Sequence, residues 1–242
     1  MGRREQIAPG EFYHIYNRGT EKRTIFMSTK DYERFLALLY ACNGSKPVDL
    51  KLQGSTLYQF LALNKEKKAV EKKVDVCAYA LMPNHFHLIV RSSEEGDVAK
   101  FMQKISTGYT MYFNTRYERS GALFQGKYKA IHADSDTYLA YLIAYVHLNP
   151  VQLIRPTWKT EGIGDLRAAK EFLQSFRWSS YPDYLGIDRP EKAIVSMDAL
   201  PGYWSSHTSF ESFVTDWLKN EQETPMRSQS LIFAKEDAPA LI

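Results

Sequence analysis

Residues 76–91 read Val-Cys-Ala-Tyr-Ala-Leu-Met-Pro-Asn-His-Phe-His-Leu-Ile-Val-Arg, an apolar stretch interrupted once, at Met82-Pro83-Asn84. No other segment restricts the fold so tightly. Pro83 ends strand pairing and Asn84 favours a turn, so the spacing predicts two strands, 74–81 and 86–91, joined there. Side chains alternate along a strand, so His85 and His87 share one face while Phe86, Leu88 and Val90 point into a core on the other. Two of the chain's six histidines therefore stand side by side among Val, Ile and Leu. That geometry fits half of a metal site. It fits equally a pair of hydrogen-bonded strand histidines, and spacing alone does not choose.

The remaining pattern organises itself around these strands. Residues 12–17 form an aromatic and β-branched run ended by Arg18-Gly19, a first strand and turn. Ser28 or Thr29 can cap a helix starting near Lys30, with Tyr32, Phe35, Leu36, Leu38 and Leu39 as its buried face. Residues 45–73 break the pattern and read as an insertion ending in a charged, solvated run. After Glu94-Glu95-Gly96-Asp97 a helical period runs from Val98 to about Tyr117, and residues 122–132 read as a fourth strand with Gly126 a bulge. Asp134, Ser135 or Asp136 then caps a helix over 137–148, stopped by Asn149-Pro150.

The order β-α-β-β-α-β followed by a helix predicts an α+β fold. It is a ferredoxin-like or RNA-recognition-like antiparallel sheet, with helices packed on one face and the other face open. The expected organisation is a catalytic-type domain at 1–155, a mostly helical C-terminal extension at 156–220, and a polar, poorly ordered tail at 221–242.

Composition narrows the function classes. With 44% hydrophobic residues the chain can bury a core. It has no apolar run of about 18 residues and its N-terminus lacks an apolar signal stretch, so a cytoplasmic location without membrane contact is expected. Cys42 and Cys77 suit buried free thiols better than a disulfide framework. The net charge of +3, from 31 basic and 28 acidic residues, is too small for whole-surface duplex binding, so nucleic-acid contact must be local. Aromatic residues make up 14% of the chain and serve stacking and core packing equally well.

What faces the histidine pair decides its chemistry, and the helix at 137–149 is the place to look. Tyr138, Tyr141 and Tyr145 form one stripe, with Leu139, Leu142, Ile143 and Val146 as an apolar flank. Tyr145 and Asn149 are four residues apart and share a face. His85, His87 and Asn149 around a divalent ion, with Tyr145 beside them, would leave positions open for a phosphate. A plain amphipathic helix with an aromatic core stripe explains the same pattern.

Leu81-Met82-Pro83-Asn84-His85-Phe86-His87-Leu88-Ile89-Val90 and Tyr145-Val146-His147-Leu148-Asn149-Pro150-Val151 together resemble the paired signatures of single-tyrosine HUH transposases, an insertion-sequence type. More narrowly, the chain is similar to the REP-associated tyrosine transposases. Supporting segments are Tyr13-His14-Ile15-Tyr16-Asn17-Arg18-Gly19, Gly121-Ala122-Leu123-Phe124-Gln125-Gly126-Lys127-Tyr128 and Trp178-Ser179-Ser180-Tyr181, so the likeness spans residues 10–186. It implies a metal-dependent endonuclease and strand transferase that acts on single-stranded DNA with hairpin or palindromic ends and becomes joined to a 5′ phosphate. Residue by residue, it implies Tyr145 as nucleophile and His85, His87 and Asn149 as ligands of Mg²⁺ or Mn²⁺; it also admits a homodimer. The insertion at 45–73 and the long C-terminal region depart from the minimal family domain.

Single-stranded DNA needs stacking surfaces and phosphate contacts. Tyr13, Tyr16, Arg18, Arg116, Arg119, Lys127 and Lys129 supply both if they flank the open face. His147, about 200° round the helix from Tyr145, suits packing or DNA contact, and His14 and His132 read as structural. Two rivals stand beside this reading. One is a non-catalytic nucleic-acid binder of the same fold. The other is a zinc-dependent hydrolase, for which a helical HExxH or nearby catalytic Glu is missing.

Overall fold

The computed structural model describes residues 7–44, 72–203 and 206–220. The expected insertion, apart from its last two residues, and the expected C-terminal tail lie outside these. Four strands form one antiparallel sheet: β1 Phe12–Arg18, β2 Val74–Met82, β3 His85–Ser92 and β4 Lys129–His132. Their order is β2-β3-β1-β4, the arrangement the element pattern implies. Pro83 and Asn84 make the two-residue turn between β2 and β3, and it is held from outside. Gly19 donates its N–H to the Asn84 carbonyl at 2.9 Å, and Ile25 and Phe26 donate theirs to Pro83 at 2.8 and 3.0 Å. A Cβ on Gly19 would come within 2.3 Å of the Arg23 carbonyl, so only glycine allows this grip.

The register assigns each face. Tyr13 pairs with Val90, Ile15 with Leu88 and Asn17 with Phe86, while His14, Tyr16 and Arg18 pair with Ile89, His87 and His85. The Phe86 side is the aromatic core. Here pack α1, Thr29–Ala41, and α2, Asp97–Arg116, with Phe35 against Phe86 and Tyr109 at ring separations of 5.0 and 5.1 Å. Asp31, fully buried, completes the capping box with Ser28 and accepts hydrogen bonds from Tyr112 and Tyr117 at 3.0 and 2.7 Å, tying the two helices together.

Two expectations need correction. Residues 122–128 are not strand: Gly126 has φ 77° and donates to the Phe124 carbonyl at 2.8 Å, a turn that an extended chain cannot contain. This loop instead clasps the end of β1, with Gln125 donating to the Arg18 carbonyl at 2.8 Å. The histidine face is not open either. Helix α3, Asp136–Leu148, lies over β2 and β3 on that side, and it is buried almost all round from Tyr138 onward. A helix apolar on every side has to be covered on every side.

The cover comes from the C-terminal region. Beyond the short helix α4, Trp158–Glu161, and α5, Leu166–Ser175, the chain reaches the outer edge of β2. There Leu81 donates to the Trp178 carbonyl and Ser180 to the Tyr79 carbonyl, both at 2.9 Å, which pairs an otherwise bare sheet edge. After α6, Tyr181–Tyr184, helix α7, His207–Asn220, closes over α3, with Trp217 at 5.1 Å from Tyr141 and Phe210 at 5.4 Å from His147. Both cysteines are free thiols, Cys77 buried and Cys42 half-buried.

Arg189 locks this region in place. Its guanidinium pairs with the buried Asp183 at 2.6 Å and donates to Tyr79 Oη at 3.1 Å and the Arg177 carbonyl at 2.8 Å. Arg189→Met leaves the Asp183 carboxylate buried without its cation and should cost about 3–5 kcal/mol, read from urea unfolding. A loss below about 1 kcal/mol would mean that water reaches the pair.

Candidate active site

β3 presents His85 and His87 from the same face, with ring centroids 4.9 Å apart. Each has its Nδ1 fixed. His85 Nδ1 donates to Asn84 Oδ1 at 2.6 Å, and His87 Nδ1 shares a 2.9 Å hydrogen bond with His14 Nε2. On the far side of His87, Asn149 Nδ2 lies 3.3 Å from Nε2. The amide donates there, so Nε2 carries the lone pair and Nδ1 the proton given to His14. Burial holds His87 well below the ordinary imidazole range, reinforced by His85 and His14. Both imidazoles thus have Nδ1 held by an outer partner and Nε2 turned inward, the arrangement a metal ligand takes.

Tyr145 completes the cluster from α3, its ring 5.6 Å from that of His87 and 6.0 Å from that of His14. Ser135 caps the helix, its side chain accepting from the Tyr138 N–H, and the backbone continues past Leu148 into a short 3₁₀ segment, Asn149–Leu153, that begins with Pro150 after Asn149. Tyr145 and Asn149 are therefore one turn apart on a rigid element. Tyr145 is 5% exposed, and Asn149 is fully buried.

A metal fits these residues on one specific ground. Asn149 Oδ1 is buried without a hydrogen-bond partner among the described residues, a costly state for an amide oxygen. Two ligands bound at right angles, each about 2.1 Å from one Mg²⁺, stand about 3 Å apart; the amide atom 3.3 Å from His87 Nε2 is the nitrogen, so a half-turn of the Asn149 amide would bring Oδ1 to that spacing. Among the described residues no group of three or more His, Cys, Asp or Glu gathers to hold a metal, so the amide is needed as the third donor.

The other expected contacts divide. Tyr16, Arg18 and Lys129 share the histidine face: Tyr16 lies 6.0 Å from His87 by ring centroid, Lys129 Nζ sits 5.5 Å over Tyr16, and Arg18 pairs across from His85. Tyr13 projects to the opposite face, 3% exposed, and its hydroxyl accepts from the Ala8 N–H, so its ring is not available for stacking. Arg116 lies at the end of α2 on the aromatic side, 3.5 Å from Asp31, and Arg119 is held by Asn114 and the Ala122 carbonyl. Neither faces the cluster. Lys127 is exposed on the loop leading into β4.

His147 packs and does not reach solvent: it shares a 2.7 Å hydrogen bond with Ser180 Oγ, and burial pushes its imidazole down to about 3. His132 pairs with Glu11 at 2.9 Å. His14 is the residue that reading single strands missed. Its partner lies on another strand, though the period of two over His14, Tyr16 and Arg18 already placed all three on one face. Asn84 was visible only as a turn former.

Residues 52–149 match the family model described as "Transposase IS200 like", a span that includes His85, His87, Tyr145 and Asn149. Among solved structures, the chain is similar to one described as the REP associates tyrosine transposase bound to a REP hairpin. The identity is 12% and the TM-score 0.46, over 85% of this chain and 99% of that one. No curated protein sequence matches the chain. Among the described residues no helix is long and apolar enough to cross a membrane.

The geometry gives a direct check on Asn149. Asn149→Leu removes one hydrogen bond together with one unpaired buried oxygen, so stability should change by less than about 1 kcal/mol in urea unfolding. A loss above about 2 kcal/mol would make the amide structural.

Proposed function

We propose that this chain, whose residues 52–149 match the IS200-like transposase family model, cuts and rejoins single-stranded DNA near hairpin or palindromic ends, with Tyr145 as the nucleophile. The observation that carries this reading is the meeting of Tyr145 and Asn149 with His87, whose ring lies 5.6 Å from that of Tyr145 and whose Nε2 lies 3.3 Å from the amide. In this reading residues 1–155 form the catalytic domain, and 156–220 are an extension working with it in the cytoplasm.

The Tyr145 oxygen attacks phosphorus in line, the bond from phosphorus to the leaving 3′ oxygen breaks, and a 5′-phosphotyrosine forms with release of a 3′ hydroxyl. A 3′ hydroxyl from another strand reverses the step and joins DNA without ATP. His85, His87 and Asn149 would hold Mg²⁺ or Mn²⁺, which when bound polarises the scissile phosphate and eases departure of the 3′ oxygen. Tyr16 offers a stacking ring, and Arg18, Lys129 and Lys127 offer phosphate contacts along the same edge. Tyr13, Arg116 and Arg119 are left out of this surface by their placement.

Single-stranded DNA from either side of the chain's own gene, taken with its inverted repeats and Mn²⁺, should give a covalent protein–DNA adduct of reduced mobility in denaturing gels. Tyr145→Phe should give none. An adduct with Tyr145→Phe, or none with the unaltered protein on either strand, would overturn the reading; tight binding without an adduct would favour the non-catalytic binder.

His14 sharpens the same test. His14→Phe frees the His87 ring and should weaken Mn²⁺ binding about 10–100-fold in calorimetry. Unchanged affinity would remove His14 from the site.

A further inference from the structure

Helix α4 brings a cation to the tyrosine. Lys159 Nζ lies 4.6 Å from the Tyr145 ring centroid, and the ammonium is sealed from solvent. Its charge is felt at His87, which it helps to keep unprotonated. The turn that carries it is braced. Trp158 is 3% exposed, Arg155 donates its N–H to the Val151 carbonyl at 2.9 Å, and Arg155 Nε donates to the Gly162 carbonyl at 2.7 Å. Lys159 also falls outside residues 52–149, the span that matches the family model.

We propose that Lys159 is a phosphate-binding residue of the Tyr145 site, its ammonium holding a non-bridging oxygen of the scissile DNA phosphate while Tyr145 attacks. The proposal rests on the reading of Tyr145 as nucleophile. Its physical ground is the low dielectric of the ammonium's buried surroundings, where a cation attracts an anion far more strongly than at the surface. The lysine adds positive charge on the tyrosine side, while Arg18 supplies it across from His85. A donor fixed in place before the reaction stabilises the charge that accumulates on phosphoryl oxygens without reorganising. The C-terminal extension is then part of the site.

The test uses two readouts on the full chain. In the Tyr145→Phe background, binding of an eight-residue oligothymidylate is followed against salt. Adding Lys159→Met should lower the slope of log affinity against log salt by about 0.7, the signature of one lost single-strand phosphate contact, and Lys159→Arg should keep it. With Tyr145 present, single-turnover adduct formation at saturating flanking DNA should fall about 100-fold in Lys159→Met and stay within tenfold in Lys159→Arg. An unchanged slope or rate in Lys159→Met overturns the proposal, as does an equal loss in both variants, which marks a packing role. If the unaltered protein forms no adduct, the nucleophile reading fails, while the salt slope still decides whether Lys159 meets phosphate.

Discussion

The antiparallel register between β1 and β3 is the constraint on which the rest of the molecule depends. It places Tyr16 across from His87 and Arg18 across from His85, while Ile15 and Asn17 meet Leu88 and Phe86 on the other side. Slipping one residue would send both imidazoles into the aromatic core and expose Phe86, Leu88 and Val90. The energy that fixes the histidines is therefore not spent at the site. It comes from Phe35, Phe86 and Tyr109 on the reverse face, where each ring buries a large apolar area. A site built this way inherits the rigidity of the core behind it.

The second half of the cluster depends on how α3 is covered. A helix buried from Tyr138 to Asn149 is stable only between two apolar layers: the sheet lies beneath, and α7 with the strand-like segment at Trp178–Ser180 closes from above and from the side. His147 shows the coupling in one residue. It is two positions from Tyr145, and its bond to Ser180 Oγ joins the helix to the edge of β2, because the same hydroxyl accepts from the Tyr79 N–H at 2.9 Å. The position of Tyr145 over His87 is therefore set by residues that lie 30 or more positions further along the chain.

This division explains what could be read from the sequence. Period two along His85-Phe86-His87 and the tyrosine stripe on α3 are local patterns, and both elements stand where the patterns put them, as do the strand order and the Pro83-Asn84 turn. What escaped depends on the third dimension. Tyr13 and Tyr16 are indistinguishable as residue types, but three positions of odd spacing put them on opposite faces, one in the core and one at the site. Gly126 reads as a bulge in a strand and is in fact a turn in the loop that leads into β4. Helices on one face was the natural reading of β-α-β-β-α-β, since the cover for the other face lies in a region with weak periodicity. Lys159 had no local signal at all: its position follows from the brace of Arg155 on Gly162, a contact between residues of no distinctive pattern.

The electrostatics of the cluster follow from the same architecture. Full burial of His14, His87 and Asn149 leaves a centre with no Asp, Glu, Lys or Arg side chain among these three residues. Positive side chains flank it, with Arg18 and Lys129 on the β1 and β4 side and the buried Lys159 ammonium on the α4 side. Such an arrangement is matched to an anion whose charge is delocalised over several oxygens. As metal ligands, two imidazoles and an amide would hold a cation weakly on their own and more strongly with an anion present, since the anion supplies the negative charge they lack. In the proposed reaction, metal and DNA would then each raise the affinity for the other, a coupling that originates in the choice of Asn149, not a carboxylate, as the third donor.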